Sequence, residues 1–345
     1  MGTSRTASDA PFKPAWWLPG PHLQTLWSPL LKRQPMPHRT REKLILPDGD
    51  FINLDWCGHA QGQPLIILLH GLTGCSRSKY ILGLQAALLA QGYQSVAMNF
   101  RGCGGEVNHH TKGYHSGISE DLDAVANQLA ERYPNRPLGA VGFSLGGNVL
   151  LKYLGEQQAT TPLTCAVAVS VPFELSRSSE RINQGFSRAY RNRLLRDMMG
   201  YITRKKQHFH QQQRHELLET LEALGDVESI KTFQDFDHQF TAPLHGFESG
   251  EAYYACCSSR QFLPSIQIPM LIIHAMDDPF VFASSIPEKT ELSASTQLEL
   301  APRGGHVGFV TGSPLKPRYW LEERIPAWLK EQLSDHTSKQ SAAHL

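Results

Sequence analysis

Pro64–Leu69 is an unbroken apolar run. A strand with one wet face alternates polar and apolar residues. A strand buried on both faces does not, and such runs belong inside parallel sheets. The surrounding chain repeats a strand–helix rhythm. Tyr80–Ala90 has helical spacing and ends at Gly92, a stop signal. Gln94–Phe100 reads as the next strand. Ile118–Tyr133 reads as a helix: Leu122, Val125, Ala126 and Leu129 share one face, Ser119 is the expected cap and Pro134 the stop. Leu138–Phe143, Gly146–Leu154 and Cys165–Val171 continue as strand, helix and strand. This alternation implies an α/β fold, with a predominantly parallel central sheet joined by right-handed crossovers and flanked by helices.

The flanks differ. Glu42–Leu46 and Phe51–Cys57 are β-like runs split by Pro47-Asp48-Gly49-Asp50, a hairpin signal. Residues 1–41 are rich in Pro and Trp, show little periodicity and read as an arm. Trp16, Trp17, Leu23, Leu26 and Trp27 are too apolar to stay in water, so the arm is expected to pack on the body. Between Pro172 and Gln267 the rhythm breaks into a helical, charged, irregular stretch with no obvious buried strand. Strand character returns at Met270–Ala275 and Gln297–Ala301, and Trp320–Gln332 reads as a closing helix. The expected organisation is a core of residues 42–171 and 268–334, a helical cap insertion at 172–267 lying over the strand C-termini, and a flexible tail at 335–345.

Bulk properties narrow the function classes. A chain of 345 residues with 41% hydrophobic and 19% charged residues is globular. Its net charge of +1 gives no electrostatic case for nucleic acid. None of the six cysteines forms a C-x-x-C, as expected of reduced thiols in the cytoplasm. The first residues lack a continuous apolar segment of the signal type, and no stretch reaches the ~18–20 apolar residues of a membrane span.

The chemistry concentrates at strand ends. Gly142-Phe143-Ser144-Leu145-Gly146 fits G-x-S-x-G between a buried strand and a helix. Small residues on both sides allow a turn tight enough to expose Ser144 Oγ at the helix start. A serine hydroxyl needs a base, and the base an orienting acid. His274-Ala275-Met276-Asp277-Asp278-Pro279 directly follows the Met270–Ala275 strand. Either aspartate fits the acid; Asp278, further into the loop, is favoured, leaving Asp277 to bond locally. His306 lies in the Gly-rich loop Arg303–Phe309 after the last strand, completing the order Ser, Asp, His. Two backbone N–H groups are expected to face the developing oxyanion: Leu145, after the nucleophile, and Leu72, in His70-Gly71-Leu72-Thr73-Gly74. His109, His110 and His115 match no standard metal-ligand spacing. The glycine runs fit neither a dinucleotide fingerprint nor a P-loop, so neither cofactor nor metal is expected.

Arg181–Arg214 holds nine Lys or Arg against one acidic residue, Asp197, interleaved with apolar residues. Such a helix either contacts an anionic membrane or substrate or is a solvated face over an apolar seam.

With these residues assembled, the chain resembles the YheT-like subfamily of α/β-hydrolases. The resemblance is carried by His22-Leu23-Gln24-Thr25, Leu46–Asp50, His70-Gly71-Leu72, Asn99–Cys103, Tyr114–Gly117, Gly142–Asn148, His274–Phe280 and Gly304–Phe309. It implies the α/β-hydrolase fold and a cofactor-free carboxylesterase activity on small or lipid-like esters. It also implies Ser144 as nucleophile, Asp278 as acid and His306 as base. The rival reading is a catalytically silent α/β-hydrolase-fold protein that binds a ligand or a membrane surface.

Overall fold

The computed structural model describes residues 11–59 and 63–343, with side chains through Ser334. Eight strands form the central sheet: β1 Arg39–Ile45, β2 Phe51–Cys57, β3 Leu65–Leu69, β4 Gln94–Asn99, β5 Leu138–Phe143, β6 Leu163–Val169, β7 Met270–Ala275 and β8 Thr296–Ala301. Their spatial order is β1-β2-β4-β3-β5-β6-β7-β8. The β1–β2 hairpin joins antiparallel to β4; every other pairing is parallel.

The unbroken apolarity of β3 has the expected cause. Leu65, Ile67 and Leu69 pack on one face with α3 (Ser119–Arg132) and α4 (Leu145–Gln157). Ile66 and Leu68 pack on the other, with α2 (Lys79–Ala90) and the closing helix Leu321–Ala343. Each side of β3 meets a helix layer, so neither can be polar. Ser119 is not a side-chain cap. Ile118 occupies that place, and the Ser119 hydroxyl instead donates to Glu156 at 2.6 Å and accepts from Lys152 at 3.0 Å. The closing helix extends beyond the expected Gln332. The 335–345 tail lies outside the residues whose side chains are described.

Between β6 and β7 the described chain is helical. It comprises α5 Leu175–Arg181, α6 Ser187–Gln211, α7 His215–Glu222, α8 Phe233–Phe236, α9 Ala242–His245 and α10 Gly250–Cys257, with a π-turn at Asp237–Thr241. The basic stretch falls largely on α6, whose two sides differ. Arg188, Arg193, Arg196 and Arg204 are exposed, while Leu195 and Ile202 pack with Ile230, Phe236 and Phe240. Lys205 departs from a solvated face. It is wholly buried, and its ammonium donates to the carbonyls of His110, Thr111 and Lys112 at 2.8, 3.1 and 2.9 Å. Burial pulls its pKa down to about 7. Tyr201, one turn earlier, donates its hydroxyl to Asn108 Oδ1 at 2.9 Å. These two residues tie α6 to the loop that follows β4.

The arm holds an unforeseen helix, α1 Pro21–Leu31, which begins with Pro at its first position, where no N–H is needed. The arm packs on the body through Phe12, whose ring meets Phe309 and Trp320 at 5.1 and 5.5 Å, and through Ala15 and Leu18. Trp16 and Leu23 do not pack: they are 80% and 46% exposed. The expectation fails at Trp16 because its neighbours Ala15 and Trp17 make the inward contacts, and at Leu23 because Gln24, Thr25 and Ser28 hold the inward face of α1. Numbering the closing helix α11, the remaining strands β9 Val310–Ser313 and β10 Lys316–Tyr319 form a small separate hairpin.

Candidate active site

Ser144 lies where β5 turns into α4, at φ 51° and ψ −117°. A non-glycine residue held there costs about 1–3 kcal/mol. Surrounding bonds hold it: Ser144 N–H donates to Val169 O at 2.8 Å, and its carbonyl accepts from Asn148 N–H at 3.0 Å. The flanking glycines are needed for space. A Cβ on Gly142 would lie 2.4 Å from Gly146 O, and one on Gly146 would lie 2.6 Å from His70 O. Strand and helix can therefore approach closely only with hydrogen at both positions.

His306 Nε2 lies 2.9 Å from Ser144 Oγ, and His306 Nδ1 lies 2.8 Å from Asp278 Oδ2. With Nδ1 donating to the Asp278 carboxylate, Nε2 is the acceptor facing the serine hydroxyl, a tautomer assigned from the network. Asp278 is 3% exposed, and its Oδ1 accepts from Phe280 N–H at 2.8 Å. The two aspartates divide the work on one loop. Asp278 meets the imidazole, while Asp277 Oδ1 accepts from Gly304 and Gly305 N–H at 2.8 and 3.0 Å.

The loop after β3 lies against Ser144: a Cβ on Gly71 would come within 3.2 Å of Ser144 Cβ. Buried His70 shapes this loop. Its Nδ1 donates to Gly71 O at 2.8 Å, and its Nε2 accepts from Phe100 N–H at 3.2 Å. Burial lowers its pKa to about 4, so it is a neutral strut. Gly71 N–H donates to Tyr80 Oη, Thr73 N–H to Tyr114 Oη and Gly74 N–H to Gly71 O. Leu72 N–H alone in this turn has no protein acceptor among the described residues. Leu145 N–H, in the first turn of α4, has no carbonyl one helical turn behind it. Both residues expected to donate to an oxyanion thus have N–H groups free of secondary-structure duty.

Three neighbours were not foreseen. Phe280 stacks on the His306 ring, with centroids 4.1 Å apart and planes at 15°. Tyr190 of α6 packs on Phe280 at 5.0 Å, bringing the helical stretch over the histidine. Fully buried His274 has Nε2 3.9 Å from Asp278 Oδ2, and neither ring nitrogen has a hydrogen-bond partner among the described residues. Burial lowers its pKa to about 4. Phe280 and His274 lie in the motif around Asp278, and their residue types alone carried no signal of those contacts. Among the described residues, no group of three or more His, Cys, Asp or Glu is placed to hold a metal ion. His115 instead packs against the rings of His245 and Phe247.

A family described as alpha/beta hydrolase fold matches residues 64–313. The chain belongs to the α/β-hydrolase fold family. Within it, the chain is similar to the Escherichia coli (strain K12) protein named "Putative esterase YheT", 38% identical over 331 residues and 95% of both chains, which supports the YheT-like resemblance. It is also 33% identical to the mouse (Mus musculus) protein named phospholipase ABHD3, over 87% of this chain and 74% of that one. A solved structure of the Pyrococcus furiosus esterase Pf2001 aligns with a TM-score of 0.54 at 18% identity, covering 86% of this chain and 93% of that one, a likeness of fold alone. No helix of this α/β hydrolase, among its described residues, is long and apolar enough to cross a membrane.

Proposed function

We propose that this protein is a serine hydrolase of carboxylic esters, with Ser144 as nucleophile, His306 as base and Asp278 as orienting acid. The observation that carries this reading is the continuous chain from Ser144 Oγ through His306 to Asp278, with links of 2.9 and 2.8 Å. It starts from a serine held in a strained turn at a helix N-terminus.

His306 Nε2 takes the hydroxyl proton as Oγ attacks the ester carbonyl. Asp278 holds the imidazole and stabilises its cation. The N–H groups of Leu72 and Leu145 receive the oxyanion, each worth about 3–4 kcal/mol in an acyl-transfer transition state. The imidazolium then protonates the departing alcohol. Water, deprotonated by the same imidazole, attacks the acyl-serine, and the acid leaves. No step requires a metal or a nucleotide.

Aromatic surroundings support an uncharged or lipid-like substrate: Phe280 lies on the base, Tyr190 on Phe280, and Phe186 within 5.7 Å of Tyr190. The names of the esterase and phospholipase relatives agree with ester substrates; short- or medium-chain and lipid-like esters are the proposed range. The exposed arginines of α6 are the proposed site of any peripheral contact with an anionic membrane surface.

Hydrolysis of p-nitrophenyl esters from acetate to palmitate, wild type beside Ser144→Ala, tests the reading. Turnover lost in the variant is expected, and the chain-length optimum sizes the acyl site. Equal turnover in both would refute Ser144 as nucleophile. Absence of wild-type turnover together with absence of fluorophosphonate labelling would favour the silent ligand-binding alternative.

A further inference from the structure

The loop carrying His306 is poorly suited to holding itself. Gly305, Val307 and Phe309 all have positive φ, of 62°, 53° and 46°. At the two L residues this conformation is strained. Within the loop Phe309 N–H donates to Gly304 O at 3.0 Å, and side chains from outside receive the N–H groups on either side of His306 and its own. Asp277 takes Gly304 and Gly305, Thr25 Oγ1 takes His306 at 2.9 Å, and Ser170 Oγ takes Val307 at 3.0 Å. Gln24 Oε1 then takes Val310 at 2.8 Å, while Gln24 Nε2 donates back to Val310 O at 3.2 Å, so one side-chain amide grips a whole residue as a neighbouring strand would.

Two of these receivers, Gln24 and Thr25, come from α1, separated by 286 and 281 positions from the residues they hold. The Thr25 hydroxyl is itself oriented, donating to Pro21 O at 2.7 Å, which turns its lone pairs towards His306 N–H. The loop is shaped to admit this helix. A Cβ on Gly305 would lie 2.5 Å from Pro21 O, and one on Gly308 would lie 2.5 Å from Gln24 O. A side chain at either position would push the loop off α1. From the same helix, the His22 ring nitrogen Nδ1 lies 3.1 Å from Tyr190 Oη, joining the arm to the aromatic stack over His306.

We infer that α1 is a positioning element for the catalytic base: Thr25 sets the backbone of His306, and Gln24 clamps the exit of its loop at Val310. This rests on the proposed role of His306. Thr25 and Gln24 touch no reacting atom. They act by holding the imidazole within hydrogen-bond reach of Ser144 Oγ, where a misplacement of about 1 Å costs on the order of a hundredfold in rate.

The test uses the full chain and the p-nitrophenyl ester it turns over fastest, with kcat and KM measured for wild type, Thr25→Val, Thr25→Ser and Ser144→Ala. Thr25→Val keeps the shape and loses the hydroxyl. It is expected to lower kcat about tenfold to a hundredfold with KM within about twofold of wild type. Thr25→Ser, which restores the hydroxyl, is expected to recover most of the loss. Unchanged kcat in Thr25→Val, or an equal loss in Thr25→Ser, would overturn the inference. Should Thr25→Val not fold, Gln24→Met takes its place: the same selective kcat loss supports the inference, and wild-type kcat overturns it. Ser144→Ala separates the two levels. Activity surviving there removes the catalytic reading and this inference with it. Activity lost there but kept in Thr25→Val removes only the role of the arm.

Discussion

Replacing Ser144 by glycine and by alanine separates the strain at the turn from the chemistry. Both variants lose Oγ and the 2.9 Å bond to His306, so both should be inactive and their loss of that bond cancels in the comparison. They differ in backbone freedom. At φ 51° and ψ −117° alanine keeps the strain of about 1–3 kcal/mol, and glycine releases it. Glycine also loosens the unfolded chain, at a cost of about 0.4–1 kcal/mol relative to alanine. The net expectation is that Ser144→Gly is more stable than Ser144→Ala by about 1–2 kcal/mol. With 345 residues at ~2.1 cal/mol/K each, that is a difference of about 1.5–3 °C in Tm. Differential scanning calorimetry at one scan rate, supported by urea unfolding followed by two probes, reads it. A glycine variant melting at or below the alanine variant would refute the claim that this turn stores strain.

Other perturbations test the division of labour in the site. Asp278→Asn should lower kcat on the order of 10⁴-fold, because the amide leaves the imidazole in the wrong tautomer. Asp277→Asn keeps an oxygen for Gly304 and Gly305 N–H and loses only the charge assistance, so less than about tenfold is expected; the reverse ranking in steady-state kinetics would exchange their roles. Stability should fall on acidification between pH 6.5 and about 4. Burial holds His70 and His274 at about 4 in the folded chain, while the unfolded chain binds those protons near 6.5. The unfolded state therefore gains protons first, and stability present above pH 6.5 is lost as pH approaches 4, by up to about 1.4 kcal/mol per pH unit per histidine. Urea unfolding at pH 7, 6 and 5 should show this slope, and His274→Phe should make it shallower; an unchanged slope would remove His274 from the account.

How much was legible follows from the range over which each feature is decided. β3, β5 and β7 could be read because each is short, apolar apart from His274 in β7, and covered on both faces, which is a property of the residues themselves. The Ser144 turn could be read because its steric demand falls on Gly142 and Gly146, two positions either side. β9 and β10 escaped notice: four residues each, with Gly312 inside one and Pro317 inside the other, leave no period to detect. Helix α1 escaped for a related reason, since Pro21 and Pro29 punctuate it and its buried residues Gln24, Thr25 and Ser28 are polar.

The sequence by itself determined the parallel sheet, the strained serine and the order in which the candidate nucleophile, acid and base follow one another. Those depend on local burial, local sterics and chain direction. Only the tertiary structure decided which aromatic rings cover the imidazole and what supports the loop that carries it; between Asp277 and Asp278, which the sequence ranked but left open, it brought Asp278 to the ring. Asp277 and Asp278 are chemically alike, and one residue of offset at the end of β7 points one at the loop backbone and the other at the ring. Thr25 and His306 lie 281 positions apart, and a hydrogen bond between them exists only once the sheet, α1 and the loop have been brought into one place.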